Sequence, residues 1–144
     1  MARHPAPLTD EEFASWVEFN RRIQAALRLS HWTVNYRNEA PEDGSISTTE
    51  PLEASHYATM RPSRRLLDSS EFNPSEVVIH EWLHLHYYHP MSYLLRQCER
   101  LLPPNDFEHT KREAEILEDR AIDELAKVLS LYLPEWKITR NPHE

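Results

Sequence analysis

The apolar positions of this 144-residue chain change period several times, and each change marks an element. From about Asp10 to Leu29, Phe13, Trp16, Val17, Ile23 and Leu27 recur at helical spacing, which predicts an amphipathic helix. Thr9-Asp10-Glu11-Glu12 opens it as a capping box, with Leu8 and Phe13 at staple spacing. The period then falls to two. Trp32, Val34 and Tyr36 alternate with Thr33, Asn35 and Arg37, the pattern of a half-buried strand. Asn38 to Ser45 reads as a loop around the turn signal Asp43-Gly44. Ile46 to Thr49 predicts a short second strand. Ala54 to Arg61 predicts a third, in which His56, Ala58 and Met60 alternate with Ser55, Tyr57 and Thr59. Arg64 to Asp68 reads as a further edge strand or an irregular approach to the next helix.

The second half is helical. Asn73 is placed to be an N-cap, Pro74 suits the first helical position, Glu76 completes a capping box, and Phe72 and Val77 form a staple. Val77, Val78, Ile79, Trp82, Leu83 and Leu85 are apolar nearly all round, so this helix, Pro74 to about His89, is expected to be buried and to end at Pro90. Met91 to Leu102 predicts a shorter helix, stopped by Pro103-Pro104. A last helix is expected from Asp106 to Leu133, closed by Pro134, with Ala114, Leu117, Ala121, Leu125, Val128, Leu129 and Tyr132 as its buried stripe. The order of elements gives an α+β fold class: an N-terminal helix, a small mixed β-sheet, and helices after it. Residues 1–8 read as a flexible arm, 9–134 as one domain, and 135–144 as a polar tail apart from Trp136 and Ile138.

Composition narrows the function. A formal charge of −8, from 16 Lys+Arg against 24 Asp+Glu, argues against nucleic acid as a partner. No run of 18 apolar residues is present, which argues against a membrane span. The first seven residues lack the apolar core of a signal peptide, and the single Cys98 has no internal disulfide partner. These features favour a cytoplasmic setting. One glycine in the chain suits a helix-rich protein with few tight turns.

Chemistry enters at His80-Glu81-Trp82-Leu83-His84, the pattern H-E-x-x-H. On a helix, positions i and i+4 share a face, so the two imidazoles converge on one ion, and Glu81 lies within reach of a metal-bound water. Zinc lowers the pKa of such a water to about 7, and Glu81 is then the expected general base. A catalytic zinc site uses three protein ligands and leaves the fourth position open. His86 points to another face and His89 stands where the helix is expected to stop. On the last helix, Glu118 falls near the centre of the buried stripe and Glu115 at its margin, while Glu113 and Asp119 fall outside. A carboxylate on a buried face is costly unless paired or metal-bound, so Glu118 is the expected third ligand.

With these residues in view, the chain resembles the zincin-like metallopeptidases of the glutamate-ligand type, the gluzincins, in their short single-domain bacterial and phage versions. The likeness rests on His80-Glu81-Trp82-Leu83-His84 and on Glu118-Asp119-Arg120-Ala121-Ile122-Asp123-Glu124-Leu125-Ala126, within a region from about Trp32 to Leu133. It implies a minimal zincin-like fold, one zinc per chain held by His80, His84 and Glu118, and a protein or peptide substrate. Some gluzincins carry the ligand in an E-x-x-x-D pattern, which Glu115 and Asp119 fit. Relatives with a third histidine, the SprT-like proteins, point instead to His109. The metzincin pattern fails, with Tyr87 where its glycine belongs and Pro90 where its last histidine belongs.

The function expected is therefore a zinc metallopeptidase, an endopeptidase with a protein or peptide substrate, recruited to it in one version by a protein partner. Tyr57, Tyr87, Tyr88 and His109 are open candidates for an oxyanion donor. The Ala54 to Arg61 strand is a candidate edge for pairing with an extended peptide. Two other readings stay open: a catalytically inactive zincin-fold binding or structural module, phage-associated in one version, and a metal-free helical interaction protein.

Overall fold

A computed structural model describes residues 6–137. Residues 1–5 of the expected arm and residues 138–144 of the expected tail, Ile138 included, lie outside the described residues. The fold is α+β. Helix α1 (Asp10–Ala26) is followed by strands β1 (Thr33–Tyr36), β2 (Ser47–Pro51) and β3 (Tyr57–Pro62). A one-turn helix α2 (Arg65–Asp68) leads into the long helices α3 (Pro74–Leu101) and α4 (Pro104–Leu129).

The helix starts form as their sequences dictate. The Thr9 hydroxyl accepts from the Glu12 amide at 3.2 Å, and the Thr9 amide donates back to the Glu12 carboxylate at 2.9 Å. Asn73 caps α3, its side-chain oxygen accepting from the Ser75 and Glu76 amides. α1 ends in a Schellman motif, in which the Leu29 amide bonds the Gln24 carbonyl and the Arg28 amide bonds that of Ala25. Its left-handed position, φ 56°, is occupied by arginine where glycine is usual.

The sheet order is β1-β3-β2, with β1 parallel and β2 antiparallel to β3. β3 is therefore the central strand, which overturns the expectation that the Ala54 to Arg61 segment offers a free edge. β2 is the strand with an open edge on the α3 side of the molecule. The Arg64 to Asp68 segment coils into α2 rather than extending as a strand, burying Leu66 and Leu67.

α3 runs through the middle, packed on α1, on β2 and on α4. Val78, Ile79, Trp82, Leu83 and Leu85 are buried with Trp16, Phe19 and Ile23 of α1 and Met60 of β3. The buried Trp82 indole donates to Asn20 Oδ1 at 3.0 Å, and Asn20 Nδ2 donates to the Trp16 carbonyl at 2.8 Å, so the buried Asn20 side chain is satisfied on both sides. Two flanking segments belong to the core. Leu8 is buried, bracketed by both amide atoms of Asn38. Trp136 is buried, stacked on Phe19, its amide donating to Ser75 Oγ and its indole to Ser15 Oγ.

Two helical expectations are corrected. Pro90 does not end the motif helix: α3 continues through it to Leu101. The bond lost is the one to the carbonyl of His86, and His86 and Pro90 are both exposed, so the loss falls on the solvent side of the helix. The buried stripe of α4 is also rotated from the one expected. Ile122 and Ala126 are buried, with Ala114 and Glu118 on the same inward face, whereas Leu117, Val128 and Tyr132 are exposed. α4 packs chiefly on α3, so its contact is narrower than its apolar arc. Among the described residues no helix is long and apolar enough to cross a membrane.

Candidate metal centre

His80 and His84 lie one turn apart on α3, the buried face of which is fixed by Ile79, Trp82 and Leu83. That packing aims both imidazoles across the α3–α4 contact, where their Nε2 atoms come within 2.9 Å of each other. Each ring turns its other nitrogen toward a carboxylate of α4. His80 Nδ1 is 2.8 Å from Asp123 Oδ1, and His84 Nδ1 is 4.0 Å from Glu118 Oε1. The Asp123 contact fixes the tautomer: Nδ1 carries the proton and donates it, so Nε2 of His80 presents a lone pair.

Asp119 completes the group. Its carboxylate is 3.8 Å from His84 Nε2, and ligand atoms of His80, His84 and Asp119 all lie within 4.8 Å of one another. Two imidazole nitrogens and one carboxylate oxygen form a donor set suited to zinc. A tetrahedral zinc would hold the two nitrogens roughly 3.3 Å apart, a small opening from what is seen. Asp119 was expected on the solvated edge of α4, and its side chain is indeed 66 % exposed. It nevertheless reaches the imidazoles, because α4 crosses α3 at this turn. Glu118 is the more buried carboxylate, 17 % exposed, but it faces Nδ1 of His84 rather than the shared Nε2 side.

The other residues singled out by sequence are elsewhere. Glu115 is exposed on α4, and His109 is exposed, 3.9 Å from Glu113. His86 faces solvent. His89 stacks on Trp32 and bonds the Ser55 carbonyl at 2.8 Å. Of the four oxyanion candidates only Tyr88 lines the cleft beside His84.

Glu81 sits between the imidazoles and β2, where the Thr49 hydroxyl donates a short hydrogen bond to Oε2. Burial pushes its carboxyl up to about 7, against the Thr49 bond and helped by the negative charges of Asp119 and Asp43. Burial, then the neighbouring His80, holds His84 below the usual histidine range, against Asp119 and Asp123. A neutral imidazole is the metal-binding form. Burial, then Asp119 and Glu115, raises Glu118. All three shifts come first from burial, with the neighbouring charges second.

Two grooves meet over this centre, sharing Ser47 and Glu81. One, of about 460 Å³, runs along β2 past Glu81, His84 and Glu118 to Tyr88, Met91 and Leu95 of α3. The other, of about 430 Å³, runs past His80 and Asp123 to Phe72 and Lys127.

Sequence reasoning missed Thr49 and Asp123, and it set Asp119 aside as lying outside the buried stripe of the last helix. For the last two a signal was present, since Asp119 and Asp123 repeat one turn later the four-residue spacing read at Glu115 and Asp119. Comparison of the chain with protein-family models, curated proteins and solved structures finds no match.

Proposed function

We propose that this chain is a zinc-dependent metallopeptidase with a minimal zincin-like fold, in which His80 Nε2, His84 Nε2 and the Asp119 carboxylate hold one zinc per chain. The observation that carries the reading is the convergence of those three donors beside a half-buried Glu81 that touches none of them. Asp119 takes the ligand role expected of Glu118, because it lies on the side of His84 that faces His80. Asp123 holds the His80 ring by its Nδ1, and Glu118 stands 4.0 Å from Nδ1 of His84.

When bound, zinc supplies Lewis acidity and a water of lowered pKa. Beside it, Glu81 would be the group placed to take up a proton and to return it to a leaving amine. Thr49 anchors one carboxylate oxygen and leaves the other free for the transfer. The substrate is a protein or peptide. It lies in extended form along the open edge of β2, its main chain pairing with the strand that also carries Thr49. A half-buried free Cys98 is consistent with work in a reducing cytoplasm.

The test is hydrolysis of an unfolded protein such as casein by zinc-loaded protein, with Glu81→Gln beside it. The reading expects cleavage to fall at least about a hundredfold, the scale of general-base loss, with zinc content unchanged. Equal cleavage by Glu81→Gln would remove Glu81 from the chemistry.

A further inference from the structure

The 460 Å³ half of the groove has two unlike walls. On α3, Tyr88, Met91 and Leu95 follow at three- and four-residue spacing and give one apolar face. This wall exists because α3 runs through Pro90 instead of stopping there. Opposite it stand Asp43, Glu50 and Glu118, and every charged side chain lining this half is a carboxylate. Glu50 is matched by Arg61 at 2.9 Å. Asp43 accepts from the Ser45 amide and hydroxyl, and Glu118 lies 4.0 Å from His84; among the described residues neither is paired with a lysine or arginine. The other half differs, since Lys127 lines it beside Glu71, Glu76 and Asp123.

Lysine and arginine combine the two features this half would match: an aliphatic stem that lies on apolar surface and a charged head that stays in water. A stem laid on Met91 and Leu95 would bring its cation to Asp43 and Glu118. An acidic side chain would meet three carboxylates and no partner. We infer that the polypeptide bound along β2 carries a lysine or arginine in the half of the groove between Met91–Leu95 and Asp43–Glu118. The inference rests on the peptidase reading and names its substrate class: extended, cationic segments. Charge opposition at a rim selects partners and speeds encounter more than it adds affinity.

The experiment uses zinc-treated Glu81→Gln protein, full length, to block turnover. Three fluorescein-labelled decapeptides share a sequence except at two central positions, which are lysine, glutamine or glutamate. Anisotropy titrations are run at low and high salt, and zinc is measured on the same samples. The lysine peptide is expected to bind at least about fivefold tighter than the glutamine peptide, with the glutamate peptide weaker again. Added salt should narrow the spread. Asp43→Asn should lower the lysine preference, and Met91→Ser should weaken the lysine peptide most, because it removes the surface for the stem. Both sites are at the groove wall, outside the metal centre. Equal binding of the three peptides, tighter binding of the glutamate peptide, or no binding by zinc-loaded protein would overturn the inference while leaving the metal reading intact. Absence of zinc would sink the peptidase reading, and a lysine preference that persisted would still support the groove's selectivity.

Discussion

Asp123 gives the sharpest test of how the centre is organised, because its role is separable from ligation. It bonds His80 Nδ1 at 2.8 Å and lies away from the Nε2 side. Replacing it with alanine frees the imidazole to rotate and to place its proton on either nitrogen. Loss of such a carboxylate partner costs about 10- to 100-fold in metal affinity, which is about 1.4 to 2.7 kcal/mol. Asp123 is 61 % exposed, so water takes over part of its role, and the lower half of that range, about 10- to 30-fold, is expected. Asp123→Asn keeps an oxygen that accepts from Nδ1 and should lose less, about threefold. The assay is competition for zinc against a fluorescent chelator at fixed pH, with circular dichroism to check folding. Zinc affinity within twofold of wild type in a folded Asp123→Ala protein would refute the argument.

Other predictions concern the scaffold and its response to pH. Arg28→Gly relieves a left-handed arginine at the end of α1 and should stabilise the protein by about 0.5 to 1 kcal/mol, raising Tm by about 3 °C; a lower Tm would contradict it. Glu12 is pushed up by burial, but the Thr9 amide and the Arg64 guanidinium outweigh this and leave its pKa below the usual value. A lowered folded pKa gives stability that is present above the ordinary glutamate range and is lost as pH falls through the folded value. Glu12→Gln should therefore cost about 1 kcal/mol at neutral pH, and its urea midpoint should approach that of wild type as pH falls below the ordinary glutamate range. A gap that widens in acid would contradict the assignment.

Local signals were the legible ones. The Thr9 capping box, the Asn73 cap, and the two histidines one turn apart depend only on neighbours in sequence and formed as read, although Glu76 does not return a bond to the Asn73 amide. Where the competing forces were tertiary, the pattern misled. Pro90 was read as a stop, but a single lost bond on the solvent side is outweighed by a helix packed on three sides. The α4 stripe was read from hydrophobicity alone, and Glu118 is inward as expected. Yet facing inward proved different from facing the space between the imidazoles: Asp119, largely exposed, reaches their shared side because of where two helices cross. Strand order was beyond reach, since the parallel β1–β3 pairing joins residues 24 apart in sequence, as Thr33 and Tyr57 do. That order decides that β2, not β3, borders the site.

The central claim is a single zinc held by His80, His84 and Asp119. Elemental mass spectrometry on tag-free protein, reconstituted with zinc and dialysed against a weak chelator, tests it directly. About one zinc per chain is expected in wild type and in Glu118→Ala, and little in His80→Ala, His84→Ala or Asp119→Ala. No zinc in the wild type would contradict the metal centre itself. Zinc lost from Glu118→Ala but kept by Asp119→Ala would return the ligand to Glu118 and contradict the geometry argued from α4.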